Sequence, residues 1–253
     1  MVRYLIELAY KGTNYKGWQI QPNGVTIQQK IEEALTLMLR QPINICGAGR
    51  TDSGVHATYM TAHFDAEESI DNIDSLISRL SKFLPPDIAI YNIIKVSNNF
   101  HSRFDALSRR YEYHIILKKD PFKTDLATRL FYRPDFGKMN QAAELLFEFS
   151  DFTSFCKLHS DTKNNLCSIT DAKWLKVNSS HYYFTIEANR FLRDMVRAIV
   201  GTLLDVGRGR LSIEDFKKVI DSKNRAKASM SAPAKGLYLV DIKYPDSSFV
   251  VPD

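Results

Sequence analysis

The sequence predicts an α+β protein of two related α/β halves, with antiparallel or mixed sheets flanked by helices. Apolar residues alternate with period two in several segments, as in residues 2–10, which is typical of half-buried strands. Other segments, such as residues 27–39, repeat apolar residues at helical spacing. The order strand, helix, strands, helix and strand occurs twice. We therefore expect two domains, residues 1–104 and 105–253.

The first half contains one well-marked helix start. Thr26 and Gln29 have the capping-box spacing, in which each side chain satisfies a backbone N–H at the start of the helix. Pro42 follows the end of this helix. The expected elements of this half are strand 2–10, helix 27–39, a short apolar segment 43–46, strand 59–64, helix 73–80 and strand 88–96.

The second half contains a predicted hairpin, because Asn178-Ser179-Ser180 separates two alternating segments. Residues 151–168 are polar and irregular, so we expect a mobile loop there. The expected elements are strand 111–117, helix 139–147, strands 169–177 and 182–186, helices 191–204 and 213–220, and strand 237–242.

Composition restricts the class of protein. No apolar run approaches the ~18 residues of a membrane span, and the N-terminus lacks the layout of a signal peptide. The three cysteines have no CxxC spacing, which favours reduced thiols in a cytoplasmic protein over a zinc site or disulfides. Of these, Cys46 is expected to be a small buried core residue.

Positive charge is concentrated in two segments. Residues 101–133 contain eight Lys/Arg against four Asp/Glu, and residues 190–227 contain ten against five. Two basic segments lining one cleft would suit a polyanion, for which nucleic acid is the commonest candidate. Two ordinary solvated surfaces would produce the same charge pattern.

The glycine-rich stretch GAGRTDSGVH, residues 47–56, suggests two motifs that do not hold. A dinucleotide-binding loop needs glycine where Asp52 stands. An aspartic protease needs two carboxylates sharing a proton, but no second Asp-Ser-Gly or Asp-Thr-Gly occurs, and Arg50 favours an ionised Asp52. A lone Asp in such a loop is a nucleophile, a general base or, more commonly, a structural cap.

The surrounding motifs resemble those of the TruA family of tRNA pseudouridine synthases. GAGRTDSGVHA resembles the catalytic motif of this family, and the order of motifs agrees over the whole chain. The other matching blocks are YKGTNYKGWQIQPNGVTIQQKIEEAL (10–35), FHSRFDALSRRYEYHI (100–115), NRFLRDMVRAIVGTLLDVGRGR (189–210) and APAKGLYL (232–239).

The resemblance implies isomerisation of uridine to pseudouridine in the tRNA anticodon stem-loop, at tRNA positions 38 to 40. It implies a homodimer, no cofactor and no metal. Asp52 then corresponds to the essential aspartate, and Arg50, Tyr111 and Arg197 belong to matching motifs. Since both halves contribute residues, we expect the catalytic cleft between them.

Physical chemistry suggests a role for each of these residues. A partly buried Arg197 is a candidate counter-ion that keeps Asp52 ionised, and Arg193 stands four residues earlier in the same predicted helix. Tyr111 suits stacking on the extracted uracil. Arg50 suits base flipping or phosphate contact.

Three further expectations complete the site. Arg208 and Arg210 are candidate phosphate contacts. His56 and His63 are given structural roles, because neither has a cysteine or carboxylate at metal-ligand spacing. A non-catalytic protein that binds structured RNA is the alternative function, and a protease ranks third.

Overall fold

Nine strands and five α-helices form the part of the chain that the computed structural model describes, residues 1–157 and 164–249. The α+β class is therefore confirmed. By contacts, unit 1 comprises residues 1–107 with the segment from residue 239, and unit 2 comprises residues 108–238. The division into two domains, residues 1–104 and 105–253, stays a prediction.

Antiparallel pairing builds the sheet of unit 1. Strand β1 (Val2–Tyr10) pairs with β3 (His56–Ala66) on one side and with β4 (Ile88–Lys95) on the other. The short β2 (Ile45–Gly47) pairs antiparallel with β3 and leads directly into the glycine-rich motif. Strand β9 (Leu237–Lys243) joins this unit from residue 239 onward.

Two helices complete unit 1, α1 (Ile27–Leu39) and α2 (Ile73–Phe83). At the start of α1, Thr26 Oγ1 accepts the N–H of Gln29 at 3.3 Å, as predicted. The Gln29 side chain instead donates to Glu33 Oε1 at 2.8 Å. Only half of the predicted capping box forms, because a helical neighbour provides the Gln29 amide with a carboxylate acceptor.

Unit 2 contains the predicted hairpin. Strands β7 (Ile169–Lys176) and β8 (His181–Ala188) pair antiparallel, and β8 pairs antiparallel with β5 (Ser108–Ile116). The two-residue β6 (Thr128–Arg129), which the sequence pattern does not predict, pairs parallel with β5. The parallel pair makes the strand arrangement of this unit mixed.

The helices of unit 2 are α3 (Phe136–Glu144), α4 (Met195–Gly207) and α5 (Ile213–Asp221). Helix α4 is buried along most of its length, as its apolar sequence requires. Among residues 1–157 and 164–249, no helix combines the length and the apolar character needed to cross a membrane.

The predicted start of α4 is wrong. The periodic pattern predicts a helix from residue 191, but Asp194 has a φ of +67°, in the left-handed region, so the helix begins at Met195. Arg193 is therefore outside the helix, and it does not share a helical face with Arg197. The expected mobile loop at 151–168 lies partly outside the described residues, because 158–163 are not among them.

Candidate active site

Asp52 opens a tight turn between β2 and β3. The N–H of Val55 donates to the carbonyl of Asp52 at 3.1 Å, which closes a four-residue turn. Gly54 occupies the third position with a φ of +79°, a conformation that glycine adopts without steric cost. The side chain of Asp52 is half-buried and that of Arg50 is exposed. The turn thus fixes the backbone that carries the carboxylate.

Thr51 anchors this turn to the interior of unit 1. Its Oγ1 forms a buried hydrogen bond with the hydroxyl of Tyr10 at 2.8 Å. Its carbonyl accepts the N–H of Trp18 at 3.1 Å. Gly17 approaches the same carbonyl so closely that a Cβ at Gly17 would lie 2.5 Å from it. The residue before the candidate catalytic aspartate is therefore held by two separate parts of the N-terminal block.

Further bonds connect the motif to the segment after β1. Ser53 Oγ donates to the carbonyl of Tyr15 at 3.1 Å. The N–H of Gly12 donates to His56 Nδ1 at 3.0 Å, and His56 is buried. These contacts support the structural role predicted for His56. These supporting residues lie within residues 10–35 and were not predicted as part of the site. The resemblance of that segment to the family was the signal that could have indicated them.

The glycines of the motif serve different purposes. A Cβ at Gly47 would meet the Trp18 ring at 2.6 Å, so packing requires a glycine there. Among the residues that the structure describes, a Cβ at Gly49 would meet no atom within 4 Å, and the φ of Gly49 is outside the left-handed region. Open space beside Gly49, close in sequence to Asp52, leaves room for a ligand.

A thiol and two imidazoles meet beside β2. Cys46 lies directly opposite His63 in the β2–β3 register, and its Sγ is 3.9 Å from His101 Nε2. One candidate ligand atom from each of these three residues lies within 4.8 Å of the others. Sequence spacing gave no sign of this cluster, because the β2–β3 pairing and a turn after β4 bring its members together.

Ser102 connects the members of this cluster. Its hydroxyl donates to the carbonyl of Cys46 at 2.5 Å, and its Oγ is 2.9 Å from His63 Nδ1. The N–H groups of Ser102 and Arg103 donate to Nδ1 of His63 and of His101, each at 3.2 Å. The cluster is a hydrogen-bonded network, and a structural role for His63 stays our prediction.

Charge and burial both act on this network. Burial lowers the pKa of His63 to about 4, and the guanidinium of Arg3 adds to the effect. Burial raises the pKa of the Cys46 thiol, while the guanidinium groups of Arg103, Arg3 and Arg50 oppose that rise. Arg50 and Arg103 thus act on one thiol, so two basic side chains from different motifs lie in the same neighbourhood.

In unit 2, Tyr111 and Tyr113 have different environments although both lie on β5. The ring of Tyr111 packs edge-on against Phe191, with centroids 5.1 Å apart, and Tyr111 is 9% exposed. Tyr113 is fully buried, and its hydroxyl bonds to Thr128 Oγ1 at 2.6 Å and donates to the carbonyl of Pro233 at 2.8 Å. Burial raises the pKa of Tyr113. Tyr113 is thus a core residue, and Phe191 is a neighbour of Tyr111 that the sequence pattern did not indicate.

Arg197 is partly buried in unit 2, as predicted, with 21% of its side chain exposed. Its Nη1 is 3.2 Å from Asp194 Oδ1, and its Nε donates to the carbonyl of Ala232 at 2.7 Å. Arg225 also approaches Asp194, with 3.8 Å between Nη2 and Oδ2, and Ser231 donates to the same carboxylate. Two guanidinium groups therefore approach the carboxylate of Asp194.

The predicted phosphate-contacting arginines are exposed at the end of α4. Arg208 lies over the ring of Tyr132 at 4.3 Å, and Arg210 Nη1 is 3.4 Å from Asp205 Oδ1. A second cationic side chain, Arg129, lies over the exposed ring of Phe131 at 4.7 Å. Arg208 and Arg129 thus each lie over an aromatic ring, and such pairs of arginine and ring suit single-stranded nucleic acid.

The comparisons with known proteins agree with each other. Residues 8–105 and 142–245 match a family model described as tRNA pseudouridine synthase. A Parabacteroides distasonis protein named tRNA pseudouridine synthase A is 54% identical over 253 residues, covering 100% of both chains. The protein of that name from Bacteroides fragilis is 51% identical over 247 residues, covering 98% of each chain. The one from Staphylococcus aureus strain Newman is 36% identical, covering 100% of this chain and 94% of the other.

Proposed function

The chain belongs to the tRNA pseudouridine synthase family, and on this basis we propose that it isomerises uridine to pseudouridine in tRNA. The proposed substrate is the anticodon stem-loop, at positions 38 to 40. The observation that carries the proposal is the fixed turn of Asp52, with Thr51 anchored to Tyr10 and Trp18 and open space beside Gly49.

The reaction rearranges bonds without a net redox change. The bond from uracil N1 to the sugar C1′ breaks, the base rotates, and a bond from C5 to C1′ forms. C5 loses its hydrogen and N1 gains one, so reactant and product are isomers. An ionised Asp52 can attack C1′, attack C6 or remove a sugar proton. None of these routes requires a cofactor.

The electrostatic part of the proposal concerns Arg197. Fixed positive charge near a half-buried carboxylate keeps it ionised, because it opposes the effect of desolvation on the pKa. The support from the structure is that Arg197 is partly buried and that Arg197 and Arg225 both approach the carboxylate of Asp194. We assign Arg197 as the counter-ion of Asp52.

Recognition of the RNA is assigned to four residues. Tyr111 stacks on the extracted uracil, and its edge-on contact with Phe191 restricts the ring. Exposed Arg50 takes part in base flipping or contacts phosphate. Arg208 and Arg210 contact phosphate, which fixes the register of the RNA without reading its sequence. The resemblance to the family also supports a homodimer that acts in the cytoplasm.

Release of tritium from tRNA labelled with [5-³H]uridine tests the proposed function, because C5 exchanges its hydrogen during the reaction. Wild-type protein is expected to release label from a transcript that contains no pseudouridine. The Asp52→Asn variant is expected to release none and to bind the same transcript within about fivefold of wild type.

A matched control is Asp71→Asn, which makes the same change at an exposed aspartate before α2 and should leave tritium release unchanged. Binding of the transcript without any release by wild-type protein would favour the non-catalytic RNA-binding alternative. An Asp52→Asn variant that fails to fold would identify Asp52 as a structural cap of the loop.

A further inference from the structure

Phe104 is an exposed aromatic residue in a segment that is otherwise anchored in the interior of unit 1. Its side chain is 74% exposed. By contrast, Phe100 and Ser102 before it and Ala106 after it are buried. Burial of apolar surface therefore does not account for a phenylalanine at this position.

The backbone that carries Phe104 is fixed by a closed turn. The carbonyl of His101 accepts the N–H groups of Phe104 at 3.1 Å and of Asp105 at 3.0 Å. The Asp105 carboxylate in turn accepts the N–H of His101 at 2.8 Å. Ser102 adds an anchor, because its carbonyl accepts the hydroxyl of Tyr244 at 2.6 Å. The ring is therefore presented from an ordered backbone, which lowers the entropy cost of binding.

The surroundings of the ring are aromatic and cationic. The imidazole of His101 packs against it with centroids 4.2 Å apart and planes inclined by 37°. The guanidinium carbon of Arg103 lies 5.7 Å from the ring centroid. His101 also approaches Cys46, which stands at the entrance to the Asp52 motif and which Arg50 and Arg103 both influence electrostatically.

This combination favours RNA over protein as the occupant. An aromatic ring with an arginine beside it offers a π-face to a nucleobase and positive charge to the adjoining phosphates. In a two-fold interface centred on this patch, the Arg103 guanidinium groups of the two copies would be brought together. Charge complementarity therefore indicates a nucleic-acid ligand.

We propose that Phe104 is a stacking platform for one unpaired nucleobase of the bound RNA, other than the target uridine. The proposal rests on the proposed function, because it takes tRNA as the ligand. It assigns Phe104 a role in binding and none in the chemical steps, so the side chain needs an aromatic face and no particular functional group.

Equilibrium binding to an unmodified tRNA transcript tests the platform, measured by fluorescence anisotropy with every substitution made in the Asp52→Asn protein to prevent turnover. Phe104→Ala and Phe104→Leu are both expected to weaken binding by roughly 5- to 150-fold, the range corresponding to loss of one stacked base. Phe104→Tyr, which keeps the π-face, should bind within about twofold. The melting temperature should not change, because the ring is exposed.

Two control variants distinguish base stacking from a general loss of apolar surface and from contact with another protein. Phe83→Ala removes another exposed phenylalanine of unit 1, at the end of α2, and should bind like the parent protein. Leu107→Ala removes the exposed aliphatic side chain three residues after Phe104. Equal losses of affinity for Leu107→Ala and Phe104→Ala, with a change in sedimentation, would identify a protein interface and overturn the proposal.

The RNA side gives a second test. Abasic nucleotides are introduced one at a time at unpaired loop positions of the transcript. At one of these positions, the parent protein and the Phe104→Ala variant should bind the transcript with the same affinity. The proposal is overturned if Phe104→Ala binds the unmodified transcript like the parent protein while wild type releases tritium. If wild type releases no tritium but the Phe104 series behaves as expected, only the proposed catalytic function fails.

Discussion

Thr51 illustrates how one side chain connects the core of unit 1 to the candidate active site. Its hydroxyl is bonded to Tyr10 in the interior, and the next residue along the chain is Asp52. A carboxylate that must act on a defined atom needs its backbone held within a fraction of an ångström. We therefore propose that Thr51 is a positioning residue that acts through Asp52.

Replacing Thr51 with valine tests this role, because valine keeps the shape and removes the hydroxyl. We expect the free energy of unfolding, measured in urea, to fall by about 1–2 kcal/mol for the lost buried hydrogen bond. We also expect kcat for tritium release to fall about tenfold or more with a smaller change in KM, because the carboxylate loses alignment. Thr51→Ser should restore both quantities.

Thr128→Val provides a matched control in unit 2. Thr128 is as buried as Thr51, and its hydroxyl also bonds to a tyrosine, Tyr113, at 2.6 Å. A similar loss of stability with nearly normal kcat is expected. Equal losses of kcat in both variants would show that general destabilisation, and not the position of Asp52, limits the rate.

At the scale of the element, the turn from Asp52 to Val55 lies in the connection between the antiparallel strands β2 and β3. Gly54→Ala places a Cβ at a φ of +79°, and an L-residue in the left-handed region costs about 1–2 kcal/mol. We expect the free energy of unfolding, measured in urea, to fall by that amount, and we expect reduced tritium release.

Gly49→Ala should leave the free energy of unfolding within about 0.5 kcal/mol of wild type, since its Cβ meets open space, but it should weaken binding of the tRNA transcript. The reverse pattern would contradict the roles assigned to the two glycines.

The elements show what could be predicted from the sequence and what could not. Strands and helices with strong periodicity were predicted within a few residues, because burial on one face imposes the period. The start of α4 was not predicted correctly. It depends on the left-handed conformation of Asp194, whose carboxylate contacts Arg225 and Ser231, more than 30 residues downstream. The meeting of Cys46 with His63 depends on strand register, which is also a tertiary property.

Among the site residues, too, local motifs could be predicted from the sequence and tertiary contacts could not. Asp52 is predicted from its motif to be the catalytic residue. The contact between Asp194 and Arg197 could not be predicted, because it depends on the left-handed turn that precedes α4. Tyr111 and Tyr113 lie on the same face of one strand, so spacing alone could not distinguish them. The hydroxyl contacts of Tyr113 now mark it as a core residue.

At the scale of the whole molecule, charge is divided between the two units. Unit 2 contains 23 Lys/Arg against 15 Asp/Glu, whereas unit 1, with Asp52, contains 11 against 14. Neutralising phosphates with Lys and Arg supplies most of the sequence-independent affinity for RNA. Unit 2 is therefore expected to provide most of the salt-dependent binding, while unit 1 provides the carboxylate.

Each unit also contains a histidine that stays neutral when folded, which links stability to pH. The pKa of His63 in unit 1 is lowered to about 4 by burial and by nearby Arg3 and His101. The pKa of His181 in unit 2 is lowered to about 4 by burial and by nearby Lys123 and His114. An unfolded histidine titrates near 6.5, so below that pH the unfolded chain binds protons that the folded chain excludes.

The free energy of unfolding is therefore expected to fall as the pH decreases from 6.5 towards 4. Urea unfolding at pH 7, 6 and 5 measures this dependence, and His63→Gln and His181→Gln should each reduce its slope. The carboxylate of Asp65, whose pKa is lowered by bonding to Arg3, also loses its contribution as the pH falls, but mainly below this window, because an unfolded Asp titrates near 3.9. If both glutamine variants keep the wild-type slope, protonation of these two imidazoles does not control the acid stability of the protein.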